Sequence, residues 1–245
     1  MANSTEAVQR GLGVTQRRDT WWLQPLAVFL GLSAFGVYST WAALQGENYQ
    51  WGPYLSPFYS PLLPKWLGLS PAIFILWMPL GFRATCYYYR KAYYRSFFLD
   101  PPACAVGESR EHRYCGETKF PFLLQNAHRY FLYLAVLVLA FLWKDAFEGF
   151  SFDGKFGIGV GSLVLTVNCI LLSGYTLGCH SLRHLIGGRL KSFHSGSGQH
   201  QCWKKATALN EHHQLWAWIS LTMVGFTDFY IRMVASGVFK DLRLF

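Results

Sequence analysis

One short stretch of the chain concentrates side chains that could hold a metal or a redox cofactor. Residues 174–191 read GYTLGCHSLRHLIGGRLK and follow a run, 160–172, with almost no polar side chains. His180 and His184 are four residues apart, so on a helix they share one face, with Cys179 about 100° round from His180. Thiol and imidazole groups where a helix leaves a bilayer indicate a metal or cofactor site.

The composition of the whole chain indicates that such a helix crosses a membrane. Of the 245 residues, 52% are hydrophobic, 18% are aromatic and 14% are charged, whereas about 25% are charged in an ordinary soluble domain. Several apolar runs approach the ~20 residues that span a bilayer. A large soluble helical core is disfavoured because its helices would carry a polar face. The net charge of +9 is attributed to basic cytoplasmic loops rather than to nucleic-acid binding.

The apolar runs predict an all-α fold, a single membrane-anchor domain over residues 1–245 that forms a five-helix transmembrane bundle. The expected transmembrane helices cover about 22–44, 71–95, 123–147, 156–186 and 208–239. Basic residues before the first helix and in alternate loops place the N-terminus in the cytoplasm and the C-terminus outside. Pro79 is expected to kink the second helix. The outer loop, 45–69, is expected to form a compact cap, and the loop 187–206 to be flexible.

This topology brings six candidate ligands to one depth on the cytoplasmic side. They lie at the inner ends of four helices and are Cys86, His128, Cys179, His180, His184 and His213. His212 and His213 point about 100° apart, so only one is expected to face the bundle.

The other cysteines and histidines have simpler interpretations. Cys169 is expected to be a small buried apolar residue. Cys104, Cys115 and Cys202 are interpreted as loop thiols, and His194 and His200 as solvated histidines. Because disulfides form on the oxidising side of a membrane, thiols on the cytoplasmic side are predicted to be free or to bind metal.

Three cofactors fit the candidate ligands. A bis-histidine haem needs only imidazoles from different helices. A Rieske-type [2Fe–2S] cluster takes two cysteines and two histidines, and so uses both residue types. A tetrahedral zinc site fits the same ligands, although it would have little to do inside a membrane.

Polar and aromatic residues at the same depth predict a site for a quinone head group. Rings with polar tips supply flat walls, and arginine can donate to quinone carbonyls. The candidates are Arg83, Tyr87, Arg129, Tyr130 and Trp216. The alternative for the aromatic residues is the usual interfacial belt. Asp228 and Arg232, four apart near the outer side, are expected to pair, first as a structural ion pair and second as a proton route.

Four motifs carry a family resemblance. They are RATCYYYRKAYYRSFFLDPPACAV at 83–106, QNAHRYF at 125–131, GCHSLRH at 178–184 and LNEHHQLWAW at 209–218. Together they resemble the membrane anchor of an actinobacterial-type succinate dehydrogenase, and the likeness extends from the loop at 48–61 to the end of the fifth helix.

The resemblance implies a bacterial, multi-pass protein of the cytoplasmic membrane that anchors a flavoprotein and an iron–sulfur subunit. It also implies a membrane-embedded Rieske-type [2Fe–2S] cluster in place of haem, and electron transfer to menaquinone or ubiquinone. The chain would then be the electron-transfer and quinone-binding subunit of a succinate:quinone oxidoreductase, with succinate oxidised on a partner and docking at the basic stretch 90–95. Cys86, Cys179, His184 and His213 are the first choice of ligands.

Several alternatives remain open at this point. His128 and His180 are reserve ligands or groups that serve quinone and proton transfer, and Cys104 could replace either cysteine. A haem b anchor of a succinate dehydrogenase or fumarate reductase is the main alternative function. A non-redox membrane scaffold is the alternative from another class.

Overall fold

A computed structural model of the chain describes residues 11–64, 68–108, 118–120, 122–188 and 198–244. Within these ranges the fold is helical, as predicted, with two short hairpins and two 3₁₀ turns. The helices are α1 (Leu23–Gln45), α2 (Pro71–Ala84), α3 (Tyr87–Phe97), α4 (His128–Glu148), α5 (Val160–Leu177), α6 (His180–Gly187), α7 (Gly198–Glu211) and α8 (His213–Ala235). The antiparallel hairpins pair β1 (Gln50–Trp51) with β2 (Tyr54–Leu55), and β3 (Ser151–Phe152) with β4 (Lys155–Phe156). The 3₁₀ turns cover Pro57–Tyr59 and Phe122–Ala127.

Three segments in the described part of the chain are long and apolar enough to cross a bilayer. They are Leu23–Gln45, Leu123–Glu148 and Val160–Leu177. α2 is a shorter apolar helix of 14 residues, and α8 has 23 residues that include a buried aspartate and arginine. In the bundle, α5 packs mainly against α8 and α4, and α4 also packs against α2. The all-α membrane fold is therefore confirmed.

Three predicted transmembrane helices are each divided into two. The second breaks between α2 and α3 at Cys86, and Pro79, where the kink was expected, lies inside α2. The fourth breaks between α5 and α6 at Cys179. Both cysteines have extended backbone, with φ −65° and ψ 130° or 136°. The fifth breaks at His212, between α7 and α8.

The inner loop contains more structure than the sequence predicted. The expectation of a flexible loop is wrong for residues 198–206, which belong to α7, and α7 packs against α6. Arg183 of α6 donates to Thr207 Oγ1 at 3.0 Å and lies 5.3 Å from the ring centre of Trp203. His200, expected to be solvated, is only 5% exposed and stacks on Trp203. These tertiary contacts offset the weak local hydrophobicity of α7.

The outer loop forms the compact cap that was expected. Tyr54 and Tyr59 are fully buried, and Tyr59 donates to the carbonyl of Ala42 at 2.9 Å near the end of α1. Gly161 at the start of α5 lies directly under Tyr54, where an added Cβ would be 2.4 Å from the ring. Only glycine permits this approach, so the cap and α5 are fitted closely together.

Candidate metal centre

The two helix breaks place two buried thiols at helix N-termini. Cys86 immediately precedes α3 and Cys179 immediately precedes α6, and they are 3% and 1% exposed. The backbone N–H of Ser181 points at Cys179 Sγ, at 3.3 Å. Because free N–H groups and the helix dipole favour negative charge at a helix N-terminus, both positions suit thiolate ligands.

Each thiol lies against a histidine from another helix. Cys86 Sγ is 3.5 Å from Nε2 of His213, and Cys179 Sγ is 3.1 Å from Nε2 of His128. The two pairs lie close together, because all four residues line one cavity. Two thiols and two imidazoles therefore meet where four segments of chain begin or break.

The neighbours of His128 fix which ring nitrogen is available. Thr85 Oγ1 lies 2.9 Å from Nδ1 of His128 and donates its one hydrogen to the carbonyl of Gly81 at 2.6 Å. Thr85 must then accept from Nδ1–H, which leaves Nε2 without a hydrogen. Phe82 stacks on the imidazole with ring centres 4.8 Å apart. The ring is thus held with a lone pair directed at Cys179.

Apart from its contact with Cys86, His213 is held by stacking. Its ring lies on that of Tyr175, with centres 5.0 Å apart, and its Nδ1 is buried with no hydrogen-bond partner within the described residues. An unpartnered buried ring nitrogen is costly unless something binds it. The donor set of two thiols and two imidazoles fits a [2Fe–2S] group.

The arrangement differs from a site for one ion. Throughout the described ranges, no three His, Cys, Asp or Glu side chains converge closely enough to hold a single metal ion. A tetrahedral zinc site needs such convergence. A binuclear cluster distributes two protein ligands to each iron, so a wider set of four is compatible with it.

His180 and His184 share a face of α6, as the spacing predicted, with ring centres 6.4 Å apart. That face is exposed, and neither imidazole has a hydrogen bond to Cys86 or Cys179 among the described residues. The break before α6 separates Cys179 from the helical phase of the two histidines. The structure therefore brings His128, a reserve candidate, to the thiols, and leaves His184, a first choice, on the exposed face.

A cavity of about 850 Å³ opens beside the four paired residues and contains most of the predicted quinone contacts. We call it the inner cavity. Tyr87, Arg129 and Tyr130 line it, together with His180 and His184. All five side chains are exposed. The cavity can therefore admit a ring-shaped ligand next to the candidate metal centre.

The other two predicted quinone residues are placed differently. Arg83 donates to Ser220 Oγ at 3.0 Å and to the carbonyl of Ala217 at 3.2 Å, and its guanidinium lies over Tyr175. It lines a separate apolar crevice of about 370 Å³ between helices of the bundle. Trp216 packs against Gly174, where an added Cβ would lie 2.6 Å from the indole, and lines neither cavity.

The remaining described cysteines are free, as predicted, and lie away from the paired residues. Cys169 is buried in the cluster of apolar residues formed by α4, α5, α8 and the cap, whereas Cys104 and Cys202 are exposed. Cys104 lines a different pocket from the one beside Cys86 and Cys179. Cys115 and His194 lie outside the described residues.

Sequence reasoning missed three residues that orient the histidines: Phe82, Thr85 and Tyr175. The position of Thr85 directly before Cys86 was the one available signal. The two stacking rings could not be distinguished from the many other aromatic residues of the membrane segments.

Comparisons with known proteins agree with this architecture. The family model for the actinobacterial succinate dehydrogenase subunit SdhC matches residues 23–237. A chain of the Mycobacterium smegmatis Sdh1 complex in the apo form is similar in structure, with a TM-score of 0.86 and 45% sequence identity over 94% of each chain. No curated protein matches the sequence. The chain therefore belongs to the family of actinobacterial succinate dehydrogenase SdhC subunits.

Proposed function

We propose that this subunit carries electrons from the iron–sulfur subunit of the complex to quinone through a Rieske-type [2Fe–2S] cluster. The proposed ligands are Cys86, Cys179, His128 and His213. The observation that carries the proposal is the pairing of two buried thiols with two half-buried imidazoles, at 3.5 and 3.1 Å, at helix ends on one side of the bundle. When bound, such a cluster supplies one-electron transfer.

The chain's own residues would prepare the site for that group. The N-termini of α3 and α6 stabilise the two thiolates. Thr85 accepts from Nδ1–H of His128 and so presents Nε2 as the ligand atom. Tyr175 stacks on His213 and Phe82 stacks on His128, so each imidazole is held in its orientation. Such surrounding contacts orient ligands and tune a metal group.

The inner cavity is the proposed site for the quinone head group, either menaquinone or ubiquinone. Reduction of a quinone takes two electrons and two protons. Arg129 and the phenols of Tyr87 and Tyr130 line the cavity and can donate to the quinone carbonyls. His180 and His184 line it too, and an imidazole can both accept and donate a proton, so these histidines are suited to deliver protons.

The proposed partners are the flavoprotein and iron–sulfur subunits, with the chain in the cytoplasmic membrane of a bacterium. Succinate would be oxidised on the flavoprotein. Docking is assigned to the face around the inner cavity, where Arg90 lies 5.0 Å from the ring centre of Tyr87 and where α6 and α7 pack together.

The test is a chemical analysis of the purified complex. We expect two irons and two acid-labile sulfides in addition to those of the partner subunits, and no haem. Cys86→Ser and Cys179→Ser should each remove this excess, whereas Cys169→Ser and Cys202→Ser, which change cysteines away from the site, should keep it. Stoichiometric haem that survives both ligand substitutions would favour a bis-histidine haem on His128 and His213. Neither group, in a complex that still reduces quinone, would leave the chain as a scaffold.

A further inference from the structure

A second pocket lies between the N-terminal end of α1 and helix α3. It adjoins the inner cavity, with which it shares Tyr88 and Gln214. Its volume is about 420 Å³. The segment before α1 forms one wall, where Gly13 donates to the carbonyl of Gly107 at 3.0 Å and Gly107 donates to that of Val14 at 2.8 Å. We call it the α1–α3 pocket. The residues that matter for its chemistry are Arg17, Trp21, Pro25, Val28, Lys91 and Arg95.

The α1–α3 pocket has an excess of positive charge. Arg17 is held in place by donating to Asp19 Oδ1 at 2.8 Å and to the carbonyl of Cys104 at 2.8 Å. Lys91 and Arg95 have no ion pair within the described part of the chain. They are four residues apart on α3, so their like charges share one face and repel each other. A bound anion would relieve this repulsion.

The opposite wall of the pocket is apolar. Pro25 and Val28 lie on the first turns of α1, next to Trp21. On the same turns, Leu26 is 42% exposed and Phe29 is 39% exposed. Tryptophan residues at the end of a transmembrane helix mark the membrane–water interface. The pocket therefore has cations at the level of the lipid head groups and apolar surface at the level of the acyl chains.

We propose that the α1–α3 pocket binds an anionic phospholipid, with its phosphate between Lys91 and Arg95 and its acyl chains along α1. Basic pockets between transmembrane helices on the cytoplasmic side recognise such head groups. A zwitterionic lipid would bring its own cation into a site that already has an excess of positive charge. The proposal requires only that α1 crosses the membrane, and is therefore independent of the proposed cluster.

The location of Lys91 and Arg95 distinguishes them from the docking face. Arg90 lines the inner cavity, whereas Lys91 and Arg95 line the α1–α3 pocket. The basic stretch 90–95 is thus divided between two sites. A protein partner that covers Lys91 and Arg95 is the competing occupant, and the experiment below separates the two.

The test measures lipid binding to the detergent-solubilised, delipidated complex by native mass spectrometry. The probes are phosphatidylglycerol and phosphatidylcholine, titrated into the wild type and into Lys91→Gln/Arg95→Gln. Each cation near the surface contributes about fivefold to the affinity for an anionic lipid, so the double variant should bind one phosphatidylglycerol about 25-fold more weakly. Lys155→Gln changes an exposed lysine of β4 and should leave binding unchanged.

Each remaining outcome bears on the proposal. Binding of phosphatidylglycerol should persist in millimolar inorganic phosphate, because a free anion does not contact α1; complete competition would mean a phosphate site only. Equal retention of the two lipids, or no loss in the double variant, would overturn the proposal. So would a partner subunit that, in the lipid-free complex, protects Lys91 from chemical acetylation. Equal melting temperatures and yields will show that the variant complex is assembled.

Discussion

The buried ion pair of α8 allows a quantitative prediction for Arg232→Met. Asp228 and Arg232 are 0% and 3% exposed, and Arg232 Nε donates to Asp228 Oδ2 at 2.8 Å. The pair expected from the sequence is thus confirmed. Arg232 also donates to the carbonyls of Glu47 at 2.8 Å and Ala42 at 2.7 Å, so it joins α8 to the end of α1.

Removal of the guanidinium would leave a buried carboxylate without its countercharge. Asp228 would keep the hydroxyl donors of Tyr38, at 2.7 Å, and Ser56. The carbonyl of Glu47 would lose this donor, and that of Ala42 would keep only the hydroxyl of Tyr59. Breaking a buried pair from one side costs about 3–5 kcal/mol. For a chain of this size the melting temperature should fall by about 10 °C.

The assay is the thermal unfolding of the detergent-solubilised complex, followed by fluorescence. Asp228→Asn combined with Arg232→Met removes both charges and should recover at least half of the loss. Lys144→Met is the matched control, because Lys144 forms an exposed pair with Glu148 at 2.7 Å, also four residues apart. An exposed pair contributes about 0.5 kcal/mol or less. A shift below 2 °C for Arg232→Met, or a double variant less stable than the single one, would refute the reasoning.

Three further predictions test other contacts. Gly174→Ala should destabilise the bundle by about 1–3 kcal/mol, because the added Cβ meets an indole ring of α8 at 2.6 Å. In the control Gly36→Ala the added Cβ meets no atom within 4 Å, so stability should not change. The melting temperatures of the two variants test this difference. Burial raises the pKa of Tyr54 to about 12. The contribution of its neutral phenol to stability should therefore be complete below pH 10 and decline as pH rises towards 12. In Tyr54→Phe the melting temperature should lose this dependence on pH between 10 and 12. Thr85→Val should weaken the affinity of the site for the proposed cluster about 10- to 100-fold, because His128 loses the acceptor for Nδ1–H. The iron content of the purified complex should therefore fall in Thr85→Val and be restored in Thr85→Ser. Normal iron content in Thr85→Val would contradict the role assigned to Thr85.

The sequence was sufficient to predict the apolar helices and the common depth of the candidate ligands. α1 begins and ends within one residue of its expected bounds, because hydropathy and flanking tryptophans define a transmembrane helix directly. Cys86, Cys179, His128 and His213 were all among the candidates, since helix ends on one side of a bundle lie close together. The pair formed by Asp228 and Arg232 followed from helical spacing.

The choice among the histidines could not be predicted, because it depends on the helix breaks. No proline follows Thr85, and nothing local requires the extended backbone at Cys86. On a continuous helix Cys179 would point about 140° away from His184, whereas the extended backbone at the break places its thiol against His128. The burial of His200 likewise depends on the packing of α7 against α6, which hydropathy does not encode.

The most direct test of the central claim is pulsed EPR of the reduced complex with ¹⁵N-labelled histidine. We predict couplings from two imidazole nitrogens at a Rieske-type centre. His128→Gln and His213→Gln should each abolish or alter that signal, whereas His184→Gln should keep both couplings, because His184 lies on the exposed face of α6. Retention of both couplings in His128→Gln together with their loss in His184→Gln would contradict the ligand set, and the absence of any histidine coupling would contradict the cluster itself.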